Sequence, residues 1–183
     1  MVLQRLFAPP PHLGAGRALY AAAALQARVP DFYRDLGVAD TVEGRFEVYS
    51  LHVALVLLRL KGQGQIAAAV AQHLFDAYVR SLDDALREMG VSDVTVGKKM
   101  RKLGEAFYGR LRAYEQAIEQ LPDAAPLGVL LQRTAFEGQA GGHAEALAGY
   151  VSRAAAALEA QPLGPLLAGQ VAWPAAVMEE AHV

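Results

Sequence analysis

The chain of 183 residues contains no cysteine, and this excludes disulfides, thiol nucleophiles and cysteine-based metal sites. The absence of cysteine is consistent with a reducing compartment. Long hydrophobic runs are missing as well, because the longest, Val48 to Leu58, includes Ser50 and His52. It is too short for the ~20 apolar residues of a membrane-spanning helix. Serine is scarce and no GxSxG, P-loop or dinucleotide-binding fingerprint occurs, so the pattern argues against an enzyme.

The N-terminus lacks the features of a secretory signal. It reads MVLQRLFAPPPHLGAGR, in which a short apolar patch is followed at once by three prolines, whereas a signal peptide needs a continuous apolar core. Because proline cannot continue a helix, we predict a flexible arm over residues 1–13. We expect a cytoplasmic protein that can lie at the inner face of the cytoplasmic membrane.

The remaining residues, 14–183, are predicted to form a single compact all-α domain of about seven helices, because the sequence is rich in alanine and leucine and shows no strand pattern. The third helix, capped by Asp40 or Thr41, is apolar nearly all round in its second half and should lie at the centre. GQAGG (138–142) is expected to be a flexible link. The predicted helices span about 15–28, 31–38, 41–61, 65–89, 94–121, 127–136 and 144–160, and a last short helix or turn carries Trp173.

Residues 93–115 predict an amphipathic helix with two distinct faces. Apolar residues at intervals of three or four line one face: Val96, Met100, Leu103, Phe107, Leu111 and Tyr114. Six cations fall mostly on the other side, and between Lys98 and Arg112 only Glu105 opposes them: Lys98, Lys99, Arg101, Lys102, Arg110 and Arg112. Such a face suits an anionic partner, which could be lipid headgroups, ribosomal RNA or an acidic protein. The alternative is an ordinary solvated helix face.

Charge is distributed unevenly along the chain. Residues 1–121 hold 15 basic and 13 acidic residues, whereas residues 122–183 hold 2 basic and 6 acidic ones. Any binding to an anion should therefore belong to the first two-thirds. The acidic last third and a sequence pI near 6.2 count against a general nucleic-acid-binding module.

Most of the aromatic residues also lie between residues 32 and 114. Together with aliphatic neighbours they could form a groove for an apolar helix of a partner, although each could equally be a core residue. His52, inside an apolar run, is either a hydrogen-bonded core imidazole or lies near such a groove. The aromatic candidates for contact are Phe32, Tyr33, Phe46, Tyr49, Phe107 and Tyr108.

Polar clusters that could support metal or catalytic chemistry are incomplete. His73 and Asp76 can share a helix face, but nothing completes a ligand set, so we predict no metal site and no cofactor. Asp83 and Asp84 are the nearest approach to the DDxxD motif of a small helical enzyme acting on a quinone or isoprenoid. A third carboxylate at the required spacing is missing, and helix-surface ion pairs explain these residues.

Two long segments resemble the ubiquinol–cytochrome c chaperone family, the cytochrome b-binding assembly factors of mitochondria and related bacteria. They are QARVPDFYRDLGVADTVEGRFEVYSLHVALVLLRLKG and QHLFDAYVRSLDDALREMGVSDVTVGKKMRKLGEAFYGRLRAYEQAI. The specific resemblance covers about residues 20–121. Residues 126–183 match only by length and by a plausible helical hairpin. The absence of a transit peptide is typical of a bacterial member.

The resemblance implies a non-enzymatic chaperone that binds newly made cytochrome b and supports assembly of the cytochrome bc1 complex. It implies no cofactor and no DNA partner. Contact with the ribosome or an anionic membrane surface, and the need for a small partner protein, stay open. We expect Lys98, Lys99, Arg101 and Lys102 to supply the electrostatic contact. Further motif positions without an assigned role are Arg45, His52, Arg59 and Asp83.

Overall fold

The computed structural model describes residues 11–137 and 143–177, and within these ranges it contains eight helices and no strand. The predicted all-α fold is confirmed, with boundaries that differ by a few residues, and the predicted link at 138–142 lies outside the described residues. The helices are α1 (Pro11–Gln26), α2 (Asp31–Arg34), α3 (Val42–Leu60), α4 (Gln65–Glu88), α5 (Asp93–Ile118), α6 (Ala125–Thr134), α7 (His143–Ala160) and α8 (Leu163–Leu167).

Helix α3 lies at the centre of the fold, as its composition predicted. Every residue from Glu47 to Val56 is buried except Tyr49, which is half-buried, and α3 packs against α1, α4, α5 and α7. Thr41 caps its start by accepting a hydrogen bond from the Gly44 amide at 3.1 Å, which satisfies one of the unpaired donors of the first turn. Of the two candidate caps, Thr41 is therefore the one used.

Both ends of the described chain differ from prediction. Helix α1 begins at Pro11, because proline is well tolerated at the first helical position, where its missing N–H has no partner to lose. Trp173 lies in a non-helical segment that follows α8. The Gln161 side chain holds this segment by donating to the Ala172 carbonyl at 2.9 Å and accepting from the Ala172 amide at 2.8 Å. No helix in the described ranges combines the length and hydropathy needed to span a bilayer.

Helices α1 and α4 approach each other closely at Gly16. A Cβ atom at this position would lie 2.6 Å from His73 Cβ and 2.7 Å from the backbone of Val70 and Leu74. Contacts this short require a shift of one helix against the other. Gly14 lies two residues earlier in the same helix, and a Cβ atom there would meet no atom of another element of the described residues within 4 Å. The two glycines therefore differ in packing while sharing one element.

We expect Gly16→Ala to lower the free energy of unfolding by about 2 kcal/mol, because the added methyl group meets the α4 backbone. The matched change Gly14→Ala should raise it by up to about 1 kcal/mol, since alanine is the better helix former. Urea denaturation followed by circular dichroism measures both. Equal effects of the two substitutions would show that α1 does not pack on α4 through Gly16.

Candidate binding surface

A cavity of about 700 Å³ opens between the loop before α3, helix α5 and the end of α6. Its wall combines backbone of the α2–α3 connection with charged side chains from three different parts of the chain. The residues that line it are Gly37, Ala39, Thr41, Glu43, Gly44, Glu47, Arg110, Arg133, Thr134, Ala135, Phe136 and Glu137.

Glu47 and Arg110 form a buried ion pair in this wall. Glu47 is 6% exposed, and both of its carboxylate oxygens accept hydrogen bonds from the Arg110 guanidinium. Burial raises the pKa of the Glu47 carboxyl, while the hydrogen bonds from Arg110 oppose that rise. Arg110 was predicted on the basic face, but it lies on the inner side of α5 with Phe107 and Tyr114. Phe107 is three residues before Arg110 and Tyr114 is four residues after it, so all three lie on the same side of the helix.

Five of the predicted cations are exposed on α5. None of them takes part in an ion pair with another residue of the described ranges. The α5 basic face, as we call this set, consists of Lys98, Lys99, Arg101, Lys102 and Arg112. Its positive charge therefore faces solvent, and Glu105 is the one acidic residue of α5 between Lys98 and Arg112.

The acidic residues next to the α4–α5 connection are partly neutralised. The Arg87 guanidinium binds the carboxylates of both Asp83, at 2.6 Å, and Asp93. This pairing gives the motif position Asp83 a structural role, as the helix-surface interpretation predicted. Two large apolar side chains at the same connection stay exposed: Met89 at 54% and Val94 at 92%.

The six aromatic candidates separate by burial. Phe32 and Phe107 belong to the hydrophobic core, so they take the core role that was the alternative, and neither offers a surface to a partner. Tyr33 donates to the Ala27 carbonyl at 2.6 Å. Tyr33, Phe46 and Tyr49 are half-buried, and Tyr108 is 52% exposed.

His52 is a fully buried core residue in a hydrogen-bond network. Its Nδ1 lies 2.7 Å from the Val48 carbonyl oxygen, and its Nε2 lies 2.7 Å from the Tyr150 hydroxyl. A carbonyl can only accept, so Nδ1 carries the proton and Nε2 of the neutral ring accepts from Tyr150. The Trp173 ring packs edge-on against the imidazole, with centroids 4.9 Å apart. Burial lowers the pKa of His52 to about 4.

Two further motif positions also have structural partners. The Arg59 guanidinium, with a side chain only 9% exposed, donates to the carbonyls of Leu158 at 2.8 Å and Gln161 at 3.1 Å. It therefore satisfies acceptors at the end of α7 that have no partner within the helix. Arg45 pairs with Asp40 and lies over the Tyr33 ring, 5.2 Å from its centroid. Both arginines stabilise the fold around α3.

Metal-ligating side chains do not converge. His73 and Asp76 lie 3.9 Å apart, and across residues 11–137 and 143–177 no group of three or more His, Asp or Glu side chains could hold a metal ion.

Sequence reasoning missed most of the cavity. Glu47, Arg133 and Phe136 come from segments that meet only in the folded chain, and no local pattern marks them as neighbours. The one signal in the sequence was Glu47, an acidic residue at the start of an apolar run. A glutamate that is buried with such a run usually has a charged partner.

The fold and these surfaces describe an all-helical protein with a cavity walled by both apolar and charged groups and with an exposed cationic helix face. The family model described as "Ubiquinol-cytochrome C chaperone" matches residues 34–173. The chain therefore belongs to the ubiquinol–cytochrome c chaperone family. The matched region contains the cavity and α5.

Named relatives support this placement. A Xenopus laevis protein named ubiquinol-cytochrome-c reductase complex assembly factor 1 is 25% identical over 173 residues, which cover 92% of this chain and 84% of that protein. The human protein of the same name is 25% identical, and this chain spans 54% of its length. The crystal structure of the Cbp3 homolog from Brucella abortus superposes with a TM-score of 0.83 at 33% identity, covering 91% of this chain and 92% of that one.

Proposed function

We propose that this protein is a non-enzymatic chaperone that binds newly made cytochrome b and supports assembly of the cytochrome bc1 complex at the inner face of the cytoplasmic membrane. The observation that carries the proposal is the family match over residues 34–173. The relatives named as assembly factors of ubiquinol–cytochrome c reductase supply the kind of client.

Cytochrome b is a bundle of apolar helices, and before assembly its lateral surface is exposed. Large exposed apolar surfaces aggregate in water. A helical protein can prevent this by covering part of the client while the remaining helices find their partners.

We propose the cavity as the site that contacts the client. Its volume of about 700 Å³ lies in the range of roughly 300–1,000 Å³ that is typical of ligand pockets. It can accommodate a short segment of a client rather than a whole helix. The ring of Phe136 offers apolar contact, while the exposed Arg133 and Glu137 can bind polar groups of a loop. The half-buried Phe46 lies beside it, 5.9 Å from the Arg110 guanidinium.

A substitution that fills the cavity tests this assignment. Ala39 lines the cavity and is exposed, so Ala39→Trp should occlude it without disturbing the core. Ala156→Trp adds the same side chain at an exposed position on α7 and serves as the matched control. Tagged protein is recovered from gently detergent-solubilised cells and probed for cytochrome b, other bc1 subunits and ribosomal proteins.

We expect the native chain and the control to capture cytochrome b and the Ala39→Trp variant to capture about tenfold less, the loss from about 1.4 kcal/mol of binding free energy. Equal capture by both tryptophan variants would remove the cavity from the client contact. Failure of the native chain to recover any bc1 subunit would overturn the proposed function. Recovery of ribosomal proteins alone would favour a ribosome-binding role instead.

A further inference from the structure

We propose that the outer surface of α5 docks onto anionic lipid headgroups and holds the chaperone flat against the membrane. The inference rests on the proposed function, because a chaperone receives a client that inserts into a membrane at the membrane surface. The binding itself requires no client. It deepens the proposed function by naming the element that contacts the membrane and the lipid chemistry it recognises.

The positive charge on the outer surface of α5 has no ion-pair partner in the described ranges. All five residues of the α5 basic face are exposed, and none forms an ion pair with a residue of the described part of the chain. Elsewhere on the same helix, cations do find partners, since Arg110 pairs with Glu47. A cluster of unpaired Lys and Arg on one face is the charge pattern that binds an anionic bilayer surface.

Three of the five basic residues lie in one continuous stripe of exposed side chains along α5. The residues of the stripe recur at intervals of four and three, which keeps them on a single side of the helix. Glu105 is the only acidic residue in the stripe. The stripe consists of Val94, Lys98, Arg101, Glu105, Tyr108 and Arg112, all exposed.

The stripe begins with exposed apolar side chains. Val94 is 92% exposed, and Met89 in the adjoining connection is 54% exposed. Tyr108, at 52% exposure, adds an amphipathic ring of the kind enriched at membrane–water interfaces. Apolar side chains beside cations can enter the boundary between headgroups and acyl chains. They would gain nothing from a phosphodiester backbone, so the surface favours lipid over RNA.

Purified protein with lipid vesicles tests the inference directly. Vesicles of phosphatidylcholine alone are compared with vesicles containing phosphatidylglycerol, and bound protein is measured by co-sedimentation at low and high salt. The test variant is Lys98→Glu/Arg101→Glu/Lys102→Glu. The control is Arg17→Glu/Arg28→Glu/Arg80→Glu, which makes the same charge change at exposed positions outside α5. Circular dichroism establishes that each variant is folded.

We expect binding to the anionic vesicles only, weakened by salt. The α5 variant should lose about 100-fold in partitioning, whereas the control variant should bind like the native chain. Val94→Ser with Met89→Ser should weaken binding while leaving its salt dependence unchanged.

Equal binding to neutral vesicles, or equal losses in the two charge variants, would overturn the inference. So would tighter binding to an RNA oligonucleotide than to anionic vesicles. Cytochrome b capture in detergent should survive in the α5 variant. Failure of the native chain to bind anionic vesicles, with cytochrome b capture retained, would overturn this inference alone, whereas vesicle binding without capture of any bc1 subunit would overturn the proposed function alone.

Discussion

Replacing Arg110 with methionine is expected to lower the free energy of unfolding by about 3 kcal/mol, because it leaves the Glu47 carboxylate buried without a partner. Glu47 is 6% exposed and receives two hydrogen bonds from the lost guanidinium. Methionine keeps much of the apolar stem of arginine, so the change isolates the charge. Thermal and urea unfolding at pH 7 measure the loss.

The pH dependence of this variant gives a sharper test. Burial already raises the pKa of Glu47 in the native protein, and removing Arg110 raises it further, because the hydrogen bonds that opposed the rise are gone. A carboxyl whose pKa is higher in the folded than in the unfolded state stabilises less as the pH rises. The loss of unfolding free energy caused by Arg110→Met should therefore be smallest below the ordinary glutamate pKa. It should grow as the pH rises through the pKa of Glu47 in the folded variant.

The partner substitution serves as the control. Glu47→Gln leaves Arg110, whose side chain is 24% exposed, able to reach water, and should cost only about 1 kcal/mol. Combining it with Arg110→Met should recover most of the loss, since no buried charge remains. A double variant whose loss equals the sum of the single losses would contradict a direct coupling between the two residues.

Acidification below pH 6.5 is expected to lower the free energy of unfolding by up to roughly 3 kcal/mol through His52 alone. Burial lowers the pKa of His52 from 6.5 to about 4. Each tenfold change in proton affinity corresponds to about 1.4 kcal/mol. The unfolded chain takes up a proton on this imidazole near pH 6.5, while the folded chain resists it. The contribution is therefore complete above pH 6.5 and is lost as the pH falls toward 4. A proton on the buried Nε2 would also end the hydrogen bond that this atom accepts from Tyr150.

The slope of stability against pH tests this prediction, rather than stability at one pH. His52→Gln removes the titrating group and keeps a polar side chain, so its unfolding free energy should fall less steeply than that of the native chain between pH 6.5 and 4. His73→Gln, at a half-buried position on α4, controls for the loss of a histidine in general. Parallel slopes for the native chain and His52→Gln would contradict the prediction. They would show that the folded chain takes up a proton on His52 as readily as the unfolded chain does.

Much of the helical architecture could be predicted because helix signals are local. The apolar stripe of α5 and the cap at Thr41 depend on residues three or four positions apart, and both appear as expected. The exposure of Lys98 and Arg101 follows from the same periodicity, since they lie opposite the stripe. The family resemblance also came from contiguous segments, and the match over residues 34–173 confirms it.

The sequence by itself determined the helices, the cationic surface of α5 and the family, since each depends on neighbours along the chain. Only the tertiary structure decided the partner of Arg110, which is 63 residues away in Glu47, and the role of His52, whose partner Tyr150 is 98 residues away. Periodicity states which side of a helix is apolar, but it does not state which helix covers that side. A cavity and a buried ion pair exist only where distant helices pack, so their residues share no local pattern.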